Sequence, residues 1–89
     1  MVAQGELDLA TAPTLADQLT EAERGRPGLL TLDLSGLSFI SVAGMRVVLD
    51  AARRAKREGR SLVVLNPQPH VRRLFALTAV DRSLDIRFE

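Results

Sequence analysis

The chain has 89 residues, of which 46% are hydrophobic, and it carries a net charge of +1 with no cysteine. This length and composition fit one small domain with its own core, and the near-zero charge argues against a dedicated nucleic-acid binder. Disulfides and thiolate-metal sites are excluded, and no apolar run approaches the roughly 18 residues of a membrane span. Because residues 1–8 also lack the basic and apolar regions of a secretory signal, we expect a cytoplasmic protein.

The first part of the chain predicts a strand followed by a helix. Val2–Leu7 fits a short strand in which Gly5 marks a bulge or a close approach. Thr11 is suited to cap the following helix, with Pro13 in its first turn, where a missing N–H costs nothing. The glycines and proline of residues 25–28 predict the end of that helix.

The middle of the chain predicts a second strand and a second helix. The apolar run 29–34 is typical of a buried strand, and residues 35–41 are expected to turn the chain. Residues 42–58 then place apolar side chains on one helical face and charged side chains on the other. On this helical phase Met45 is exposed or half-exposed, where it either fills the core margin or contacts another protein.

The last part of the chain repeats the alternation of strand and helix. Residues 61–65 predict a buried strand, Pro69 opens a third helix, and residues 84–88 alternate like a half-exposed strand after a turn. The resulting order β-α-β-α-β-α-β predicts an α/β fold with right-handed crossovers. We therefore expect a small sheet of about four strands, mostly parallel, flanked by helices.

Side chains that could support catalysis are sparse. His70 is the single histidine, and it lies at a predicted helix start with no partner for acid–base chemistry. Glu6 and Asp8 point the same way on a strand, but surface or capping roles explain them better than a carboxylate pair. No glycine-rich nucleotide motif, metal-ligand cluster or G-x-S-x-G elbow occurs. The sequence therefore predicts neither an enzyme nor a cofactor or metal site.

Charge is unevenly distributed along the chain, with −4 over residues 1–45 and +5 over residues 46–89. The basic stretch 53–60 has no aromatic residue among its cations, and the whole chain has three Phe and no Tyr or Trp. Stacking on bases is therefore poorly provided for, so a solvated helix face is favoured over direct nucleic-acid binding. The asymmetry fits a protein partner of complementary charge.

Ser41 stands alone as a hydroxyl at the start of the second helix. A helix cap explains it well, because its oxygen can accept the free N–H of Ala43 or Gly44 and contribute about 1 kcal/mol. Helix N-termini also attract anions and phosphorylated side chains. A nucleophilic role would need a base, and His70 alone could supply one.

Three stretches, taken together and in order, resemble the STAS domain of bacterial anti-sigma factor antagonists. They are GELDLATAP, residues 5–13; LTLDLSGLSFIS with GMRVVLDAARRAKREGRSLVVLNPQP, residues 30–69; and HVRRLFALTAVDRSL, residues 70–84. The resemblance covers nearly the whole chain as one domain, residues 1–89. Each stretch alone is a weak match to the family, and the resemblance rests on the order and spacing of all three.

The resemblance implies a partner, an anti-sigma factor that is also a serine kinase and is captured by the unphosphorylated antagonist. In the family a Ser or Thr at the start of the second helix is phosphorylated, and the phosphate breaks the complex by repulsion and desolvation. The family pattern Asp-Ser-x-Gly falls on Ser41, Val42, Ala43 and Gly44, so the acceptor position holds a valine. We expect a constitutive, unphosphorylated binder; the alternative is phosphorylation displaced to Ser41.

The expected contact surface lies at the start of the second helix, with two charged residues at its rim. Its members are Ser41, Val42, Ala43, Gly44 and Met45 at the centre, and Asp8 and Arg46 at the rim.

Two further expectations follow from the resemblance. Family members carry a strand before GELD and often a closing helix, which this sequence does not show, so one sheet edge should be unpaired and could form a homodimer. The alternative function is a STAS scaffold or adaptor subunit of another assembly, such as a membrane transporter complex.

Overall fold

A computed structural model describes residues 1–89. It has an α/β fold, as the sequence predicts, with three helices and five strands, and every strand pair is parallel. The elements in chain order are β1 Gly5–Leu7, α1 Ala12–Glu23, β2 Leu29–Asp33, β3 Leu37–Ile40, α2 Val42–Arg57, β4 Ser61–Leu65, α3 Pro69–Leu77, a 3₁₀ turn Val80–Ser83 and β5 Asp85–Arg87.

The prediction that residues 35–41 only turn the chain is wrong, because they contain β3. Leu37 and Ile40 are buried, whereas the two residues between them are exposed, so the strand lacks the alternation that marks a half-buried strand. Its partner is β1, with Leu37 beside Gly5 and Ile40 beside Leu7. The strand is therefore specified by a pairing across about 30 residues of chain rather than by its own pattern.

The sheet is arranged so that the N-terminal residues form one edge. β2 pairs with β4 and β4 with β5, while β1 pairs with β3. An isolated bridge between Val2 and Asp33 joins the two groups, with the Asp33 N–H donating to the Met1 carbonyl at 2.8 Å and the Ala3 N–H donating to the Asp33 carbonyl at 3.1 Å. β1 is shorter than expected, but the bulge at Gly5 is confirmed, with φ of +74° and a register shift.

The helices cover the sheet around an apolar core. α1 packs against α2, α2 against β4, and α3 against β3. The core contains 18 buried hydrophobic residues and no buried polar or charged residue. Leu19, Leu32, Val64 and Phe75 are each 0% exposed, so every layer contributes to it. No helix is both long enough and apolar enough to cross a membrane.

The start of α1 differs from the prediction in its chemistry. Pro13 does lie in the first turn, but the Thr11 side chain makes no capping hydrogen bond. Its hydroxyl donates to the Glu6 carbonyl at 2.9 Å and accepts from the Asp8 N–H at 2.8 Å. Thr11 therefore ties the loop to the end of β1 rather than satisfying the amides of the helix.

Candidate functional site

The start of α2 is positioned by Ser41, which lies in extended backbone between β3 and the helix. Its N–H donates to the Leu7 carbonyl at 2.8 Å, which fixes it to the end of β1. Its hydroxyl oxygen accepts from the Gly44 N–H at 3.2 Å, and its carbonyl accepts from the Met45 N–H at 2.9 Å. The predicted cap is confirmed, and the Ser41 hydroxyl is occupied by the helix that it opens.

Val42, the first residue of α2, is 65% exposed. Ala43 is half-buried and Arg46 is exposed, so these three side chains are available at the surface. Gly44 is buried beneath them.

The prediction that Met45 is exposed or half-exposed is wrong. Its side chain is 3% exposed, and its sulfur lies 3.7 Å from the Thr78 hydroxyl. The buried face of α2 consists of Gly44, Met45, Val48, Ala51 and Ala55, so Met45 belongs to the apolar face and Val47 lies at the core margin. Met45 is therefore almost fully buried, although it lines a groove beside Val42, and its role as a contact residue stays a prediction.

Gly44 sets the distance between α2 and β1. A Cβ at this position would lie 2.6 Å from Leu7 Cγ and 3.0 Å from the Leu7 carbonyl oxygen. Both distances are far below ordinary contact, so a residue without a side chain is needed for this close approach. The close packing fixes the height at which Val42 stands above the sheet.

Asp8 organises the loop between β1 and α1. One of its carboxylate oxygens accepts from the N–H groups of Ala10 and Thr11, at 2.9 and 3.0 Å. The same oxygen lies 3.1 Å from the Thr11 hydroxyl, whose single proton it shares with the Glu6 carbonyl. The Thr11 backbone and side-chain hydrogen bonds hold the pKa of Asp8 below its ordinary value. The turn leaves the intervening Leu9 78% exposed. Asp8 thus shapes the loop, and Leu9 is the side chain that it presents.

Two apolar grooves flank Val42. A groove of about 430 Å³ separates it from the α1 loop, and a second of about 260 Å³ lies toward the 3₁₀ turn. Val42, Arg46 and Asp50 line both grooves, so Val42 forms a ridge between them. We call this surface the α2 entrance face; its members are Leu9, Pro13, Val42, Ala43, Arg46, Val47, Leu49 and Asp50.

Sequence reasoning missed five members of this face, which are Leu9, Pro13, Val47, Leu49 and Asp50. The available signal was an apolar residue, Leu9, directly after Asp8 in a polar turn sequence, where a core role is not expected.

Groups for catalysis or metal binding are not assembled around this face. No three His, Cys, Asp or Glu side chains are placed to hold a metal ion. His70, at the start of α3, contacts the Ser38 carbonyl of β3 through its Nε2 atom, and the neighbouring Gln68 amide donates to the Ser35 carbonyl at 2.9 Å. His70 therefore covers β3 rather than approaching Ser41. The face is suited to binding another protein by apolar contact.

Comparison with known proteins places this geometry in a family. A family model described as "Mlab, STAS domain" matches residues 1–87. BtrV of Bordetella bronchiseptica is 36% identical over 76 residues, which cover 84% of this chain and 65% of BtrV, so the chain spans slightly under two thirds of that relative. The anti-sigma-B factor antagonist of Bacillus subtilis is 31% identical over 83 residues, or 92% of this chain and 74% of that protein.

Solved structures agree with this assignment. An anti-sigma factor antagonist from Mycobacterium paratuberculosis superposes with a TM-score of 0.85 at 26% identity, covering 96% of this chain and 72% of that one. The antagonist SpoIIAA in its unphosphorylated form gives a TM-score of 0.79 at 22% identity, covering 99% and 77%, and supports the fold alone. The chain belongs to the STAS domain family and has bacterial anti-sigma factor antagonists among its relatives.

Proposed function

We propose that this chain is a cytoplasmic anti-sigma factor antagonist that binds a kinase-type anti-sigma factor through the α2 entrance face and has no catalytic activity of its own. The names of its relatives support the class of partner. The single observation that carries the choice of surface is Val42, 65% exposed at the first turn of α2 and flanked by two apolar grooves. Exposed apolar surface of this kind is typical of protein interaction sites.

The α2 entrance face has exposed apolar surface that a partner can bury and charged residues that can fix the orientation of the bound partner. Leu9 and Val42 supply exposed hydrocarbon that a partner would remove from water, at about 25 cal/mol per Å² buried. Arg46 and Asp50 line both grooves and carry opposite charges, so they favour one docking orientation. Asp8 contributes indirectly by holding the turn that presents Leu9.

We further propose that binding is constitutive. Valine has no hydroxyl to accept a phosphoryl group, so position 42, where family members are phosphorylated, cannot be phosphorylated in this chain. The Ser41 hydroxyl is one residue away, and it already accepts the Gly44 N–H. Phosphoryl transfer needs the acceptor in line with the donor, and a shift of one residue points the acceptor side chain in a different direction. This argument favours an unmarked binder over displaced phosphorylation at Ser41.

Binding measurements with a matched control test the surface. Purified chain is titrated into the kinase-type anti-sigma factor of the same bacterium by calorimetry. Val42→Asp puts a charge into the proposed contact and should weaken binding by at least about tenfold, since an unpaired buried carboxylate costs more than 1.4 kcal/mol. Leu29→Asp makes the same kind of change at a residue that is 58% exposed, at the opposite end of the parallel sheet, and should bind like the unmodified chain.

Intact mass spectrometry tests the constitutive mode. After incubation with the kinase-type anti-sigma factor and ATP, the chain should keep its mass and stay in the complex on gel filtration. A phosphate mapped to Ser41 would reject constitutive binding while leaving the partner assignment in place. Failure to form any complex would reject the partner assignment.

The second candidate is a STAS adaptor subunit of another assembly, such as a membrane transporter complex. One observation favours keeping it: the matching family model is described as a STAS domain and does not mention an anti-sigma factor antagonist. Co-purification from the native bacterium separates the two, because an antagonist recovers an anti-sigma factor and an adaptor recovers transporter subunits.

A further inference from the structure

The side of α2 that faces away from the sheet carries a stripe of charged residues. Its members recur at intervals of four, three and four residues and therefore lie on one side of the helix; they are Arg46, Asp50, Arg53 and Arg57. All four residues are exposed, and they lie opposite the buried face of α2. We call them the outer stripe, which at about 1.5 Å per residue extends for roughly 16 Å along the helix.

The charges of the outer stripe have no ion-pair partner within the chain. The chain forms four ion pairs, and none of them includes a residue of the outer stripe. Two acids that lie beside or directly after α2 are already engaged, Glu23 by Arg54 at 3.0 Å and Glu58 by Arg60 at 2.9 Å. Three arginines and the single acid, Asp50, therefore leave the outer stripe with a net charge of +2 in contact with solvent.

The electrostatics of the helix itself explain only part of the outer stripe. Cations near the C-terminus of a helix interact favourably with its dipole, which accounts for Arg57 in the last turn. Arg46 lies near the start of α2, where a cation gains nothing from the dipole, and Arg53 precedes the last turn. A stabilising role within the helix therefore leaves two of the three arginines unexplained.

The outer stripe is continuous with the α2 entrance face. Arg46 and Asp50 line both grooves beside Val42, and Arg53 lines the groove toward the 3₁₀ turn. A partner seated on Val42 would therefore already lie over the first half of the outer stripe. Its surface would continue along the same side of α2 toward Arg57.

An acidic protein segment fits the outer stripe better than a nucleic acid does. Residues 42–57 contain no aromatic side chain on which a base could stack. Asp50, inside the outer stripe, would repel a phosphate backbone, whereas a protein segment can place one basic residue opposite it.

We propose that the outer stripe binds an acidic segment of the kinase-type anti-sigma factor and raises the rate at which the complex forms. This inference rests on the proposed function and deepens it, because it assigns the chemistry of the partner's surface. Opposite charges at the margin of an interface attract the partner during diffusion, so they act on the association rate more than on the dissociation rate. The α2 entrance face then provides the apolar contact that holds the complex together.

Stopped-flow mixing with the kinase-type anti-sigma factor of the same bacterium, at several salt concentrations, tests this division of roles. The association rate constant of the unmodified chain should fall by about tenfold or more between about 20 mM and 1 M salt, where the Debye length is about 3 Å. Arg57→Glu reverses a charge that lines neither groove beside Val42. It should slow association by about three- to tenfold at low salt and change the dissociation rate by less than about twofold, and the difference should disappear at high salt.

Two matched variants separate charge from position. Arg73→Glu makes the same change of charge at an exposed residue of α3 that also forms no ion pair, and it should associate like the unmodified chain. Arg57→Lys keeps the charge at the outer stripe and should also associate normally. Thermal melts of all three variants check that the fold is kept.

The outcomes distinguish this inference from the proposed function. An Arg57→Glu chain that associates as fast as the unmodified chain, or association that does not depend on salt, would overturn the inference. The proposed function would stand in that case if Val42→Asp still weakens the complex. An unmodified chain that binds duplex DNA more tightly than the anti-sigma factor would overturn the inference in favour of a nucleic-acid surface. A chain that forms no complex with the anti-sigma factor would reject the proposed function and this inference with it.

Discussion

Replacing Gly44 with alanine tests how the α2 entrance face is positioned. The new Cβ would lie 2.6 Å from Leu7 Cγ, 2.9 Å from Leu7 Cδ2 and 3.0 Å from the Leu7 carbonyl oxygen. Ordinary contacts between carbon atoms lie near 3.5–4.0 Å, so the overlap with Leu7 Cγ is about 1 Å. A rotation of the Leu7 side chain would relieve two of these contacts but not the third, because the carbonyl belongs to the backbone and accepts the Ser41 N–H.

The expected free-energy change is a balance of two effects. Overpacking of this kind costs about 1–3 kcal/mol, whereas alanine in place of glycine within a helix gains about 1 kcal/mol. Because α2 must move away from β1 to make room, we expect the cost to prevail and the free energy of unfolding to fall by up to about 2 kcal/mol. For a domain of this size a loss of about 2 kcal/mol lowers Tm by roughly 8–16 °C.

Urea titration and thermal melts of Gly44→Ala measure this loss. Gly25→Ala is the control, because a Cβ there meets nothing within 4 Å, and its stability should change by less than about 0.5 kcal/mol. In a double-mutant cycle, Leu7→Ala removes the two closest atoms, so Gly44→Ala should cost less in that background. A Gly44→Ala variant at least as stable as the unmodified chain would refute the close-packing argument.

Three other substitutions probe the same region. Ser41→Ala removes the cap of α2 and should lower the free energy of unfolding by about 1 kcal/mol; an unchanged urea midpoint would contradict the capping role. The pKa of Asp8 is lowered in the fold by its hydrogen bonds from Thr11, so its carboxylate stabilises the fold at neutral pH and this stabilisation is lost as the pH falls below about 4. Urea midpoints of Asp8→Asn should therefore fall less steeply between about pH 5 and pH 2 than those of the unmodified chain. Val42→Ser supplies a hydroxyl at the family acceptor position, and with the kinase-type anti-sigma factor and ATP it should gain the mass of one phosphate, whereas Val42→Ala should gain none.

Local chemistry made much of the fold predictable from sequence. The strand at 61–65 is continuous apolar sequence bounded by turns, and β4 occupies those residues. Gly5 marks the bulge because a positive φ is costly for other residues. Ser41 marks the start of α2 because a hydroxyl before a helix has a free amide to accept. In each case the cause and its effect lie within a few residues of one another.

Non-local contacts account for what the sequence concealed. β3 forms because it pairs with β1. Its own sequence does not predict a strand, because two exposed residues lie between the buried Leu37 and Ile40. The burial of Met45 was misjudged because Met45 and Val47 are both apolar and lie at the two margins of the buried face. Packing of Gly44 against Leu7 decides between them and buries Met45. Leu9 is part of the site because the turn formed by Asp8 exposes it. A turn has no periodic pattern of apolar residues, so the sequence contains no periodicity from which to predict this position.

The contacts that place Val42 do not involve its side chain. Ser41 bonds to Leu7 on one side and to Gly44 on the other, and Gly44 packs on Leu7. The residue at position 42 can therefore change from a hydroxyl to a hydrocarbon without moving the helix start. Such a change removes the atom that would carry a phosphate and adds apolar surface worth about 1.5–3 kcal/mol if a partner buries it fully. A dianionic phosphate at the same point would have to be desolvated instead. Valine in place of a hydroxyl residue at position 42 therefore both removes the phosphorylation switch and strengthens the apolar contact with the partner. This supports a protein that is always able to bind its partner.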